Sequence, residues 1–201
     1  MPKLDTATLE SLLSSFFRFD LPPSEMGMKM SEGAADYLIT DLADALESLR
    51  RAQLRLITGL TDAQVNYSPD PSSFSLSEII SHVVLAQNLT HNLLIDSTII
   101  DLPHIDPLPR GAGDGSQRGI SASTLISSLQ HATESLMSVI KVIAPQPPRL
   151  ARHPLFGNMT TKGVLIFQIG HDLDHLKQAQ LLRRTPGFPT KSMSLDQTTK
   201  S

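Results

Sequence analysis

Apolar residues recur every three or four positions along four stretches of the chain, and polar residues fill the positions between them. This spacing gathers apolar side chains on one face of an α-helix. It predicts four long helices, the first, third and fourth at about residues 35–60, 121–143 and 160–184 and the second beginning at Ser75. No stretch is convincing as a strand. The expected fold is therefore all-α, a four-helix bundle.

Each predicted helix places one row of mostly apolar side chains towards the interior of the bundle. In the first helix this row is Leu38, Leu42, Ala45, Leu49, Ala52 and Leu56. In the third helix it is Leu125, Leu129, Ala132, Leu136, Val139 and Ile143. The row of the second helix has one polar member and consists of Ile79, His82, Ala86, Leu89 and Leu93. We therefore expect the side chain of His82 to face inwards rather than towards solvent.

The start of the second helix is marked by the sequence Ser75-Leu-Ser-Glu78. This is a capping box, in which Ser75 accepts a hydrogen bond from the backbone N–H of Glu78 and the Glu78 carboxylate accepts one from the backbone N–H of Ser75. Glu78 also lies one helical turn before His82, where a carboxylate could orient the imidazole. The capping role already accounts for this residue, so both interpretations stay open.

The chain divides into three parts by composition. Residues 1–35 are an expected N-terminal extension, with a short amphipathic helix from Thr6 to Phe19 and a breaker-rich linker over 20–28. Residues 36–188 form the predicted bundle, and residues 189–201 are a polar tail expected to be disordered. A long irregular connection over 101–120 separates the second and third helices. It leaves open whether the bundle is simple up-down or contains a crossover.

Composition excludes several classes of function. A formal net charge of −3 over 201 residues offers no electrostatic footprint for nucleic acid or for an anionic membrane. No apolar run is long enough to span a bilayer, and the N-terminus resembles neither a secretory signal nor a transit peptide. The chain has no cysteine, which excludes disulfides, thiolate metal sites and a cysteine nucleophile. We expect a cytoplasmic protein.

Two histidines one helical turn apart, His171 and His175, are the main candidate chemistry of the chain. Residues four apart project from the same helical face, so both imidazoles can converge on one cation. His82 from the second helix could complete a three-histidine site with open coordination positions, which is typical of catalytic metals. Histidine and carboxylate ligands suit Zn²⁺, Ni²⁺, Fe²⁺ or Mn²⁺. The alternative is that these histidines are hydrogen-bonded core residues. From the residues alone, the two interpretations have about equal odds.

Two further residues are expected at the edge of this site. Gln178 continues the face of the fourth helix that holds His171 and His175. His153, in the loop before that helix, could line the mouth of a cavity, although packing beside Phe156 is the favoured role. Asp172 is expected to point away from the metal.

Three segments together resemble the DinB-like superfamily, a group of four-helix bundles regarded as metalloenzymes. These are Phe74-Ser-Leu-Ser-Glu-Ile-Ile-Ser-His82, then His153-Pro-Leu-Phe-Gly-Asn-Met-Thr, then His171-Asp-Leu-Asp-His-Leu-Lys-Gln178. The resemblance covers about residues 36–185, with Phe74 where the family usually has tryptophan. It implies that His82, His171 and His175 bind Zn²⁺ or Ni²⁺ without an organic cofactor. The resemblance also implies that homodimers are frequent. It implies that the relatives of this chain include thiol-dependent transferases and isomerases, and some hydrolases.

The expected function is therefore a metal-dependent enzyme acting on a small molecule. The metal would activate a low-molecular-weight thiol, as in an S-transferase, or a water molecule, as in a hydrolase. The alternative is a non-catalytic bundle with a structural metal or core histidines. A weaker hypothesis is that the protein is an interaction module, which would use the Phe16–Phe17 helix and the basic residues Arg50, Arg51 and Arg55. Such a basic group on a long helix is usually only a solvated face.

Overall fold

The computed structural model describes residues 22–95 and 117–190, together with Glu10. The predicted helix over 6–19 (apart from Glu10), most of the polar tail and most of the 101–120 connection lie outside these residues. The elements in chain order are α1 (Pro23–Ala34), α2 (Ile39–Ile57), α3 (Asp62–Val65), α4 (Leu76–Ile95), α5 (Ala122–Ile143), β1 (Leu150–His153), β2 (Gly157–Thr160) and α6 (Thr161–Leu182). The four predicted long helices are α2, α4, α5 and α6, so the helical bundle is confirmed.

Helices α2 and α4 each pack against both α5 and α6. Hydrogen bonds show that α2 and α6 run in the same direction. Lys162 at the start of α6 donates to the carbonyl oxygen of Ala35, and Arg183 just after its end donates to the carbonyl oxygen of Leu56. Thus the beginnings of α2 and α6 lie together, and so do their ends.

Helices α4 and α5 are also parallel to each other. Arg118, just before α5, donates to the Glu78 carboxylate in the first turn of α4, and the Gln87 amide contacts the Thr133 hydroxyl nearer the middle of both helices. Parallel neighbours cannot be joined by a tight turn. The connection between α4 and α5 is therefore a crossover, which decides the question of topology that the sequence leaves open.

The buried faces of α4 and α5 agree well with the predicted rows, but the face of α2 does not. The predicted position Leu38 is 46% exposed. The buried residues of α2 are instead Ile39, Leu42, Ala43, Leu46, Arg50, Gln53 and Ile57. Relative to the predicted row, α2 is rotated about its axis, because Arg50 and Gln53 bond to polar groups of α6 inside the bundle. The prediction that Arg50 belongs to a solvated face is therefore wrong, although Arg51 and Arg55 are exposed.

Helix α1 occupies part of the segment that the sequence predicts to be a linker. Proline fits its first turn because that position needs no backbone N–H donor. Met26, Met30 and Ala34 recur every four residues and are buried against α6 and β2. The composition of this segment, rich in helix-breaking residues, does not indicate a helix. One of these residues, Gly27, lies inside α1 because it allows close packing. The division at residues 35 and 36 stays a prediction.

Replacing Gly27 by alanine is expected to destabilise the fold by about 1–3 kcal/mol, the usual effect of overpacking. A Cβ atom at this position would clash with the carbonyl oxygen of Phe156 and lie 2.9 Å from Cγ of Met159. Urea denaturation measures the loss. The neighbouring variant Met28→Ala, at a position 46% exposed, serves as the control and should change stability little. Equal stability of both variants would show that α1 does not dock on the hairpin.

The hairpin of β1 and β2 corrects the expectation that the chain contains no strand. The two strands are antiparallel, with Leu150 opposite Thr160 and His153 opposite Gly157. In β1 the apolar Leu150 is exposed and His153 is buried, so the sequence lacks the apolar–polar alternation that marks a half-buried strand. Gly157 has a φ of 68°, which favours glycine at the turn. The hairpin leads directly into α6, whose first turn is capped by Thr160 accepting from the backbone N–H of Gly163.

Within the described residues no helix combines the length and apolar character needed to cross a membrane.

Candidate metal centre

The three candidate histidines lie together where α4 packs against α6. The helices are antiparallel here, and His82 faces the pair formed by His171 and His175. One potential ligand atom from each side chain lies within 4.8 Å of the other two. The ring centroids are 4.4–4.9 Å apart. Among the described residues this is the one cluster of at least three histidine or acidic side chains with such geometry.

The spacing of the nitrogens fits a shared divalent cation. Nε2 of His82 and Nε2 of His171 are 3.0 Å apart. Two nitrogens that each lie about 2.0–2.1 Å from one ion, with an angle between about 90° and 110°, are separated by about 2.9–3.4 Å. All three rings are half-buried, so a ligand could reach the open side of the cluster. The cluster is therefore a possible site for a divalent metal.

Gln178 contacts His175 one turn further along α6. Nδ1 of His175 donates to Oε1 of Gln178 at 2.9 Å. Since a neutral imidazole has one donor and one acceptor nitrogen, this bond leaves Nε2 of His175 as the atom with a free lone pair. Gln178 thus orients the ring of His175, in the manner of the outer hydrogen bonds that fix metal-ligating histidines.

His153 lies in the hairpin and is only 2% exposed. Its ring stacks on Phe156, with centroids 4.7 Å apart, and meets the edge of Phe167. Nδ1 accepts hydrogen bonds from the backbone N–H groups of Leu155 and Phe156 at 3.1 and 3.3 Å. Its Nε2 is buried without a hydrogen-bond partner. Packing beside Phe156 is therefore observed, and a role for His153 at the cavity stays a prediction.

Glu78 forms the capping box that the sequence predicts. Its carboxylate accepts from the backbone N–H of Ser75 at 2.8 Å, and the Glu78 N–H donates to the Ser75 hydroxyl at 3.2 Å. The same carboxylate pairs with Arg118 at 3.1 Å. These contacts tie the start of α4 to the segment before α5. An additional orienting role of Glu78 towards His82 stays a prediction.

Burial favours the neutral form of His82, His153 and His175. Desolvation, followed by repulsion from His171 and His175, lowers the pKa of His82 to about 3. Desolvation and then His171 lower the pKa of His175 to about 4, and the same two causes lower the pKa of His153 to about 4. Neutral imidazole is the form that binds a metal. These rings therefore need to lose no proton before a cation binds.

The metal-free protein is expected to lose stability as the pH falls from about 6.5 to about 4. The unfolded chain protonates these three histidines near their ordinary pKa of 6.5, whereas the folded chain does not until about pH 4 or below. Protons therefore bind preferentially to the unfolded state and favour unfolding. The expected loss is about 1 kcal/mol for each histidine, reduced by partial exposure of the site.

Urea denaturation in chelator at pH 7, 6 and 5 measures this dependence. The variant His131→Gln, at an exposed position of α5, should keep the slope. His153→Gln should make it shallower. A free energy of unfolding that is constant or rises on acidification would contradict the pKa shifts.

A buried charged pair, which the sequence does not predict, lies beside the site. Asp172 is fully buried and does not point into solvent, and its Oδ2 pairs with Arg50 of α2. Its other oxygen, Oδ1, is 3.6 Å from Nδ1 of His171. Its signal in the sequence is Gln168, which interrupts an apolar run of α6 one turn before Asp172. Two polar residues four apart in such a run indicate a buried polar contact.

The bundle and its three convergent histidines define a class of protein: an all-α helical bundle with a candidate site for a divalent metal. The chain belongs to the DinB superfamily, whose sequence profile matches residues 45–179. This match includes α4, α5, nearly all of α6 and all three histidines. No curated protein and no solved structure matches the chain.

Proposed function

We propose that this chain is a metal-dependent enzyme that binds Zn²⁺ or Ni²⁺ through His82, His171 and His175. The observation that carries the proposal is the approach of three imidazole ligand atoms, from two helices, to within 4.8 Å of one another. Nitrogen ligands of this kind suit these two metals. Membership of the DinB superfamily supports the same conclusion.

The chain's own residues supply the remaining parts of the site. Three neutral histidines leave a bound divalent cation with its positive charge and with open positions, which favours an anionic ligand. Gln178 holds the ring of His175, Phe167 packs directly against His171, and Phe156 packs against Phe167. A divalent cation bound there supplies Lewis-acid chemistry that lowers the pKa of a thiol or of a water molecule.

A low-molecular-weight thiol is the favoured substrate. The chain has no cysteine, so any thiol must come from a diffusible small molecule. Hydrolysis benefits from a general base, and the two candidates from the sequence fit that role poorly. Glu78 is paired with Arg118, and Nδ1 of His153 already accepts from two backbone N–H groups, so its Nε2 carries the proton. We therefore place thiol transfer ahead of hydrolysis.

A non-catalytic bundle with a structural metal is the alternative. Structural zinc sites normally have four protein ligands and are closed, whereas this cluster has three and is half-buried. The distinguishing property is the effect of chelation. A structural metal should add strongly to the free energy of unfolding, and no thiol or ester should react.

The test is a thiol-transfer assay on protein made without a histidine tag, stripped with chelator and reloaded with Zn²⁺ or Ni²⁺. Several small thiols and electrophiles are screened, together with an ester panel for hydrolysis. Activity that depends on the metal and disappears in His175→Gln supports the proposal, and His131→Gln is the matched control. Metal binding without activity towards either panel would favour the structural alternative.

The homodimer, the cytoplasmic location and the absence of nucleic-acid and membrane partners stay predictions of the sequence. Sedimentation analysis at several protein concentrations tests the first of them.

A further inference from the structure

A network of buried polar side chains lies directly behind the three histidines and joins α2, α4 and α6. Arg50 pairs with Oδ2 of Asp172 and donates to Oε1 of Gln53 at 2.8 Å. The amide of Gln53 donates to the backbone oxygen of Asp172 at 3.1 Å. The members of the network are 0–1% exposed and comprise Arg50, Gln53, Gln87, Thr90, Gln168 and Asp172.

The polar groups around the Asp172 carboxylate have hydrogen-bond partners. Its Oδ1 accepts from the amide of Gln168 at 2.8 Å, and Oε1 of Gln168 accepts from the Thr90 hydroxyl at 2.6 Å. With its amide oxygen turned towards α2, Gln87 accepts from the guanidinium of Arg50. Residues of α2 and α6 thus fix the carboxylate, and Thr90 and Gln87 of α4 bond in turn to Gln168 and Arg50.

Such a pair is not explained by stability alone. Removing two charges from water costs several kcal/mol each, and well-packed apolar residues often stabilise a core as well or better. A buried ion pair in the middle of an apolar bundle therefore calls for another role. Its position beside a candidate metal ligand indicates what that role is.

His171 has one nitrogen without a partner. Its Nε2 faces the cluster, 3.0 Å from Nε2 of His82, whereas its Nδ1 is buried and makes no hydrogen bond. Oδ1 of Asp172 lies 3.6 Å from this nitrogen. A shift of about half an ångström would bring these atoms within hydrogen-bond distance.

We propose that Asp172, held by Arg50 and Gln168, is a positioning residue that keeps the proton of His171 on Nδ1 and so turns the Nε2 lone pair towards the cluster. This positioning role deepens the proposed function. Its effect on metal binding rests on that function. In the metal-free protein Nε2 of His171 then accepts from the Nε2–H of His82. The carboxylate also places a negative charge next to the cation.

The first test is the tautomer of His171, read from the ¹⁵N shifts of its ring in metal-free protein. Wild type should show the proton on Nδ1. In Asp172→Asn the amide oxygen must face Arg50, which only donates, so the NH₂ group takes the place of Oδ1 beside His171, and the Gln168 amide turns its oxygen towards it. Nδ1 then becomes an acceptor, and the proton moves to Nε2. Asp174→Asn, at the exposed aspartate beside the same pair, is the control and should keep the wild-type tautomer.

The second test is the affinity for Zn²⁺, measured by competition with a chromophoric chelator. Loss of an outer partner of a metal-ligating histidine typically costs about 10–100-fold in affinity. Asp172→Asn should show a loss of this size and Asp174→Asn should not. The double variant Arg50→Met with Asp172→Leu replaces the buried charges by apolar groups. It should fold stably yet still bind zinc weakly, because Nδ1 of His171 has no acceptor.

The outcomes separate this proposal from the proposed function. An unchanged tautomer in Asp172→Asn, or wild-type zinc affinity in the double variant, would overturn the positioning role. If wild type binds no metal, the proposed function fails, and the tautomer measurement still decides the role of Asp172. If Asp172→Asn does not fold, the double variant replaces it in both tests, and retention of the wild-type tautomer would count against the proposal.

Discussion

Replacing Arg50 by methionine is expected to lower the free energy of unfolding by about 3–5 kcal/mol. The substitution leaves the carboxylate of Asp172 buried without its counter-charge, and Gln53 loses its donor. An unpaired charge in the interior is far more costly than the loss of a pair. Burial lowers the pKa of Arg50 and the Asp172 carboxylate opposes that shift, which is consistent with a pair held together against desolvation.

Chemical denaturation at pH 7.5 in chelator measures the effect. Arg51→Met is the matched control, because the neighbouring Arg51 is 58% exposed and pairs with Glu47 on the surface. It should cost less than about 1 kcal/mol. The double variant with Asp172→Leu should recover most of the stability that Arg50→Met loses. A small loss in Arg50→Met would show that the pair is not buried as described.

Loss of any one histidine of the cluster is expected to weaken zinc binding by more than about 100-fold. A direct ligand should matter more than an outer partner, whose loss costs about 10–100-fold. His82→Ala is the most informative variant, because His82 comes from α4 while the other two ligands come from α6. Its effect should equal that of His171→Ala. Competition with a chromophoric chelator measures both affinities.

His131→Ala is the control, since this histidine is exposed on α5. Wild-type affinity in His82→Ala, with a loss in His171→Ala and His175→Ala, would mean that the metal binds to the pair on α6 alone. The cross-helix site would then be wrong even though the chain binds a metal.

Local sequence patterns predict the elements whose signals lie within a few residues. The capping box at Ser75 and Glu78 appears as expected because both partners are three residues apart. The turn-spaced histidines of α6 share a face because helical geometry requires it. The inward position of His82 follows from its apolar neighbours one turn away on either side.

The remaining features of the fold and of the site depend on residues that are distant in sequence. Arg50 and Asp172 are 122 residues apart, so nothing near Arg50 indicates that it is buried. The rotation of α2 follows from that same pair. The direction of α5 relative to α4 depends on a crossover that the spacing of apolar residues does not encode. Helix α1 is hidden because its glycine, which usually interrupts a helix, serves close packing against the hairpin.

The most direct test of the central claim is the coordination of the metal itself. Untagged protein is stripped with chelator, titrated with Zn²⁺ and analysed for metal content and by X-ray absorption. We expect one ion for each chain, with three imidazole nitrogens at about 2.0–2.1 Å. Absence of binding, or the same ion in a chain lacking His82, His171 and His175, would contradict it.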